Sequence, residues 1–136
     1  MRIEWALQCE AVAQDGRGAL TLVGLNQNIY LVGVLPVTTR RFLVLHLVEL
    51  TPNTGLSIVV QAKAPDSSVI AESKAEFELG QPIFKDLPAS LDYPIELVLS
   101  IEKYGVYSME AYVSDGSGES SEGRVDLYVM EPPSQD

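Results

Sequence analysis

The sequence predicts an all-β domain in which two antiparallel sheets of about eight strands pack face to face as a sandwich. Three observations carry this. Apolar residues recur at every second position through most of the chain, and the three-and-four spacing of an amphipathic helix is absent over any useful window. Turn-forming residues separate the alternating stretches, as at Asp15-Gly16-Arg17-Gly18, Pro65-Asp66-Ser67-Ser68 and Lys103-Tyr104-Gly105. The 136 residues, 46% hydrophobic and 21% charged, suit one globular core.

The first strand is read from Ile3 to Val12, with Ile3, Trp5, Leu7, Cys9 and Ala11 on the inward face and Glu4, Ala6, Gln8 and Glu10 on the other. After the Asp15 turn a second strand spans Ala19 to Leu25, and Asn26 to Pro36 is a partly buried connection broken by Gly33 and Pro36. Arg41 to Leu50 is apolar at nearly every position, as a central strand covered on both faces should be. Leu56, Ile58, Val60 and Ala62 then alternate inward, and their mate from Val69 to Phe77 turns Glu72, Lys74 and Glu76 to water. Gly80 to Pro94 contains three prolines and reads as a long surface loop, with Phe84 and Leu87 folding back to plug the sandwich end.

Ile95, Leu97, Leu99 and Ile101 form the next inward set, followed by Tyr107, Met109, Ala111 and Val113. The stretch from Asp115 to Gly123 is rich in glycine and serine, which predicts a flexible hairpin loop before a last strand from Arg124 to Met130. One domain is therefore expected over 1–130, with 131–136 as an extended tail. Trp5, Leu7, Leu97, Leu99, Tyr107, Met109 and Leu127 are expected to be buried.

Nine basic and nineteen acidic residues give a net charge of -10, which repels phosphate backbones and anionic membrane surfaces. Nucleic acid and membranes are therefore excluded as expected partners. The longest apolar stretches, Ile29 to Val37 and Phe42 to Leu50, fall short of the ~20 residues that cross a bilayer. The N-terminal stretch lacks the apolar core of a signal peptide. The single Cys9 excludes an internal disulfide and fits a cytoplasmic setting.

Glu102-Lys103-Tyr104-Gly105-Val106-Tyr107-Ser108-Met109 resembles the acidic-x-x-Gly-x-Tyr stretch that begins the penultimate strand of many immunoglobulin-like sandwiches. In such domains the glycine allows the corner, and the tyrosine returns a hydroxyl hydrogen bond to upstream backbone. Met109 stands where antibody-type domains carry a cysteine, so the likeness is architectural. A second likeness joins Trp5-Ala6-Leu7-Gln8-Cys9-Glu10, Leu22-Val23-Gly24, Leu35-Pro36, Tyr104 to Glu110 and Ser114-Asp115-Gly116. Together these resemble a family of small uncharacterised bacterial all-β domains, common in actinobacteria and classed as a domain of unknown function. The resemblance runs from about Ile3 to Val129. It implies an immunoglobulin-like sandwich and supplies no activity, and the long serine- and glycine-rich loop after Asp115 departs from the shorter turn of that family.

No catalytic constellation emerges. His46 is the only histidine, and both it and Cys9 sit among apolar strand neighbours, which favours ordinary packing over a nucleophilic dyad. No His-x-Glu or His-x-x-x-His spacing exists for a metal, and the oxygen-bearing residues from Asp115 to Glu122 lack the acid ladder of a calcium loop. Glu72, Glu76, Glu96, Glu102 and Glu110 alternate along strands as outer-face charges. No glycine-rich phosphate loop is present, and no cofactor is expected. The expected function is a non-enzymatic module that binds another protein or a copy of itself. Its expected surface is Val106, Tyr112 and Tyr128, because the strand from Val106 to Ser114 offers only Glu110 as an outward charge. The alternative is a carbohydrate- or small-ligand-binding module using the loop aromatics Tyr30, Phe84 and Tyr93, and third stands an enzyme of unrecognised type.

Overall fold

The computed structural model describes residues 1–25, 28–81, 85–87 and 89–134. These residues form an all-β structure with no helix, and hence no helix long and apolar enough to cross a membrane. Ten strands are described: β1 (Arg2–Cys9), β2 (Ala11–Gln14), β3 (Leu20–Val23), β4 (Ile29–Leu31), β5 (Val37–Leu50), β6 (Gly55–Lys63), β7 (Val69–Glu78), β8 (Ala89–Ile101), β9 (Gly105–Asp115) and β10 (Ser120–Met130). They pair as a three-stranded sheet, β1-β5-β8, a five-stranded sheet, β4-β10-β9-β6-β7, and a separate β2-β3 hairpin.

The two larger sheets enclose one core. Leu43, Leu45 and Leu47 of β5 and Leu97, Leu99 and Ile101 of β8 meet Leu56, Ile58 and Val60 of β6, Met109 of β9 and Leu127 of β10. The period-two pattern of β5, β6, β8 and β9 is therefore the core itself. Of the side chains expected inside, Leu97, Leu99, Tyr107, Met109 and Leu127 are buried, whereas Trp5 and Leu7 are only half-buried.

The reason is a register shift. Ile3 lies opposite Leu47 and Trp5 opposite His46, with Glu4 as the extra residue between them. Such a bulge reverses the facing of everything that follows it. Ile3 and Ala6 consequently pack on the core, Gln8 is fully buried, and its Nε2 donates to the Asp126 carbonyl at 3.2 Å. Trp5 and Leu7 lie on the outer face of the three-stranded sheet, where Trp5 stacks on His46 with centroids 5.0 Å apart.

Three expected connections contain strand, the first being Asn26 to Pro36, which holds β4, and one expected strand is split. The stretch read as one strand from Ile3 to Val12 is interrupted at Glu10, and its continuation pairs with β3 in the hairpin. The stretch after Gly80 becomes regular at Ala89, so Tyr93 and Pro94 belong to β8. Leu87 is 62% exposed and plugs nothing, while Phe84 lies outside the described residues. The ladder between β9 and β10 holds through Ser120, Ser121, Glu122 and Gly123, because serine and glycine keep both backbone hydrogen-bonding groups. β1 passes over Gly123, where a Cβ would lie 3.3 Å from Ile3 Cδ1. The connecting turn shrinks to Gly116–Glu119.

Aspartates organise the turns. Asp15 Oδ1 accepts from the Arg17 and Ala19 amides, Asp66 Oδ1 from the Ser68 amide and hydroxyl, and Asp115 Oδ1 from the Ser117 amide and hydroxyl and the Glu119 amide. Each side chain supplies the acceptor that a tight turn leaves its amides without.

Candidate functional site

Among the described residues β4 is the one strand that pairs parallel to its neighbour. Along β10, β1 runs beside the first half, with the Ile3 amide donating to Ser121 Oγ at 3.0 Å. From Tyr128 onward β4 takes that place, and the Tyr128 amide donates to the Asn28 carbonyl at 2.7 Å. The next strand across, β9, starts at Gly105, which lies opposite Val129. The ends of β4, β9 and β10 thus meet at one corner of the five-stranded sheet.

The outer face of that corner is apolar. Register places Ile29 beside Tyr128, Tyr128 beside Val106, and Leu31 beside Met130. These five side chains are between 38% and 56% exposed, and Tyr104 adjoins them at 37%. A shallow groove of about 530 Å³ runs over Tyr104, Val106, Tyr128 and Met130. Together they present on the order of 500 Å² of apolar surface, near the top of what the largest patch on a soluble monomer spans. Two hydroxyls fix the corner: Tyr104 donates to the Val32 carbonyl at 2.8 Å and Tyr107 to the Lys103 carbonyl at 2.7 Å.

Farther along the same face the chemistry changes. Lys63 pairs with Glu110 at 2.5 Å, Arg124 with Asp126 at 2.9 Å, and Gln61 donates to Glu72 at 2.7 Å. The bond from Glu110 raises the proton affinity of Lys63, and that from Asp126 does the same for Arg124. Tyr112 stands beyond this charged band, half-buried opposite Glu122 and Val59. Six residues of strand separate it from Val106, roughly 20 Å.

The structure therefore divides the expected surface. Val106 and Tyr128 share the apolar corner, and Tyr112 does not. Both strands are interior to the sheet, since β9 lies between β10 and β6, and β10 between β9 and β4. Glu110 is joined on this face by Lys63 and Arg124 from the flanking strands, so β9 sits in a charged band that its own sequence does not reveal.

The expected loop aromatics do not form one platform. Tyr93 is a β8 residue facing the core, stacked on Phe77 at 5.6 Å. Tyr30 is half-buried on β4 and lies 4.8 Å from the Arg41 guanidinium, which is itself buried on β5. Phe84 is outside the described residues.

Cys9 and His46 share the outer face of the three-stranded sheet but are four residues apart along it, about 13 Å, too far for a dyad. Cys9 is fully buried, and burial pushes its thiol up. His46 Nδ1 lies 2.5 Å from Asp92 and Nε2 3.2 Å from Glu4. Because the two ring nitrogens point apart, these carboxylates do not converge with the imidazole on one ion, and among the described residues no metal-holding group occurs. Asp115 Oδ1 is engaged in its own turn.

Ile29, Leu31, Tyr104 and Met130 were not expected in a site. A usable signal was present: from Gly18 to Thr39 no residue is charged, in a chain that is 21% charged. Compared with known protein families and with curated proteins, the chain matches none. The likeness to small bacterial β-sandwich domains rests on the residues quoted for it.

Proposed function

We propose that this chain is a non-enzymatic, immunoglobulin-like β-sandwich module that works by binding protein through the apolar corner formed by β4, β9 and β10. The observation that carries the reading is the contiguity of Ile29, Leu31, Val106, Tyr128 and Met130 on one outer face, with a charged band beside them. An apolar centre with a polar border is the usual anatomy of a protein-binding surface. The immunoglobulin-like assignment is supported by the order β1-β5-β8 against β4-β10-β9-β6-β7 and by the Tyr107 hydroxyl bond to Lys103, the corner tyrosine of such folds. A cytoplasmic setting is part of the proposal, since the single thiol is buried and no disulfide requires an oxidising compartment.

Site-specific photo-crosslinking in the source cells tests the reading. A photoreactive residue at Met130 should yield discrete protein adducts, whereas one at Lys74, on the charged face of β7, should not. Loss of the Met130 adducts on adding Tyr128→Lys would tie them to this surface. Absence of any Met130 adduct, or equal labelling from both positions, would refute it.

A further inference from the structure

We infer that the partner of this corner is a second copy of the chain, joined across a two-fold axis by antiparallel pairing of β4 with β4. The inference rests on the proposed function and names what engages that corner along its β4 edge. Its first support is the edge. The outer strands of the two sheets are β1, β8, β4 and β7. β7 exposes Glu72, Lys74, Glu76 and Glu78, β8 exposes Asp92 and Glu96, and β1 exposes Arg2 and Glu4, the charges that ordinarily keep an edge from pairing. β4 carries none, and among the described residues no strand pairs with its outer side.

The ladder fixes which groups are free. The Asn28 carbonyl and the Val32 amide are bonded to β10, so alternation turns the amide and carbonyl of both Ile29 and Leu31 away from it. An antiparallel two-fold centred on Tyr30 sets Ile29 against Leu31 of the second copy, and Leu31 against Ile29. Each such pair exchanges two bonds, so four backbone bonds form and no like charges meet. Any of the other edges paired with itself would bring charged side chains together.

The size of the contact is that of a weak dimer. Ile29, Leu31 and Val34, on β4 and just after it, are 53% to 79% exposed, and pairing along so short an edge buries the small area of a weak, concentration-dependent contact. The net charge of -10 opposes the pairing at low ionic strength, so the dimer should tighten as salt is added.

Sedimentation velocity on the wild type from micromolar to several hundred micromolar should show a monomer–dimer equilibrium. Leu31→Pro, which removes an outward amide without touching a bond to β10, should weaken it by tenfold or more. Register is read with cysteines: Ile29→Cys and Leu31→Cys proteins should form a disulfide-linked dimer under mild oxidant when mixed, and far less when each is alone. Buried Cys9 stays out of the reaction. A wild type that remains monomeric, a dimer indifferent to Leu31→Pro, or cross-linking equal in mixed and single samples would overturn the inference. Met130 adducts of other proteins in cells, together with a monomeric wild type, would leave the binding surface standing and refute only the second copy as its occupant.

Discussion

Gly105 joins the stability of this fold to the corner proposed as its binding surface, and Gly105→Ala should be the most damaging single-methyl addition among the described glycines. Its φ of +139° is a conformation L residues rarely adopt, and a Cβ built there would lie 2.8 Å from Pro65 Cγ and 3.2 Å from Pro65 Cβ. The proline ring cannot swing aside, because Pro65 sits in a tight turn closed by the Ala64 amide to the Ser68 carbonyl and the Ser67 amide to the Ala64 carbonyl. Backbone strain of about 1–3 kcal/mol and a packing clash of similar size together give a loss of about 3 kcal/mol. For a chain of this length that is roughly 10 °C in Tm. Urea denaturation followed by Trp5 fluorescence measures it, with Gly80→Ala as the control. Among the described residues no heavy atom lies within 4 Å of a carbon added at Gly80, whose φ is not positive, so alanine there should stabilise by less than about 1 kcal/mol. Equal effects of the two substitutions, or a Gly105→Ala loss under about 0.5 kcal/mol, would refute the geometry.

Three further outcomes follow from the same structure. Leu99→Ala, at a side chain with no exposure, should cost about 2–5 kcal/mol by chemical denaturation. Tyr107→Phe removes the hydroxyl bond to Lys103 and should cost about 1 kcal/mol, with the fold unchanged by circular dichroism. The Ser68 hydroxyl and amide hold the Asp66 carboxyl at about 2, below its ordinary 3.8. The folded state therefore favours the ionised form, so this contribution is fully present above about pH 4 and is lost as pH falls toward 2. Asp66→Asn should flatten that part of an acid-unfolding curve, and an unchanged acid limb would count against the turn's role.

The sequence disclosed the core more fully than the site, for physical reasons visible at particular residues. Leu97, Leu99 and Ile101 repeat with the period of a strand, and nothing in their neighbourhood breaks it. Trp5 and Leu7 follow the same period, but the extra residue at Glu4 shifts them to the other face, and bulges leave no mark in composition. The stretch from Ser120 to Gly123 looked too polar and glycine-rich for a ladder. What it lacked was apolar side chains, which the crossing of Ile3 over Gly123 makes unnecessary. Val106 and Tyr128 were legible as outward positions of adjoining strands. Their separation from Tyr112 depends on which strands flank β9, and so on long-range pairing that a linear pattern does not encode.

The corner proposed as the binding surface is already held in place by its own hydrogen bonds. Tyr104 ties the start of β9 to the chain just after β4, Tyr107 ties it to the preceding turn, and β4 is bonded to β10 on its inner side. A surface whose backbone is already fixed loses little conformational freedom on association, so more of its apolar burial is realised as affinity. The charged band formed by Lys63, Glu110, Arg124 and Asp126 works in the other direction. Its side chains are ion-paired with one another, so a partner that covered them would have to match those pairings or lose free energy. Apolar docking is thus confined to the corner by what lies beside it. A substitution that loosens Gly105 should impair binding as well as folding, whereas Tyr128→Lys should impair binding alone.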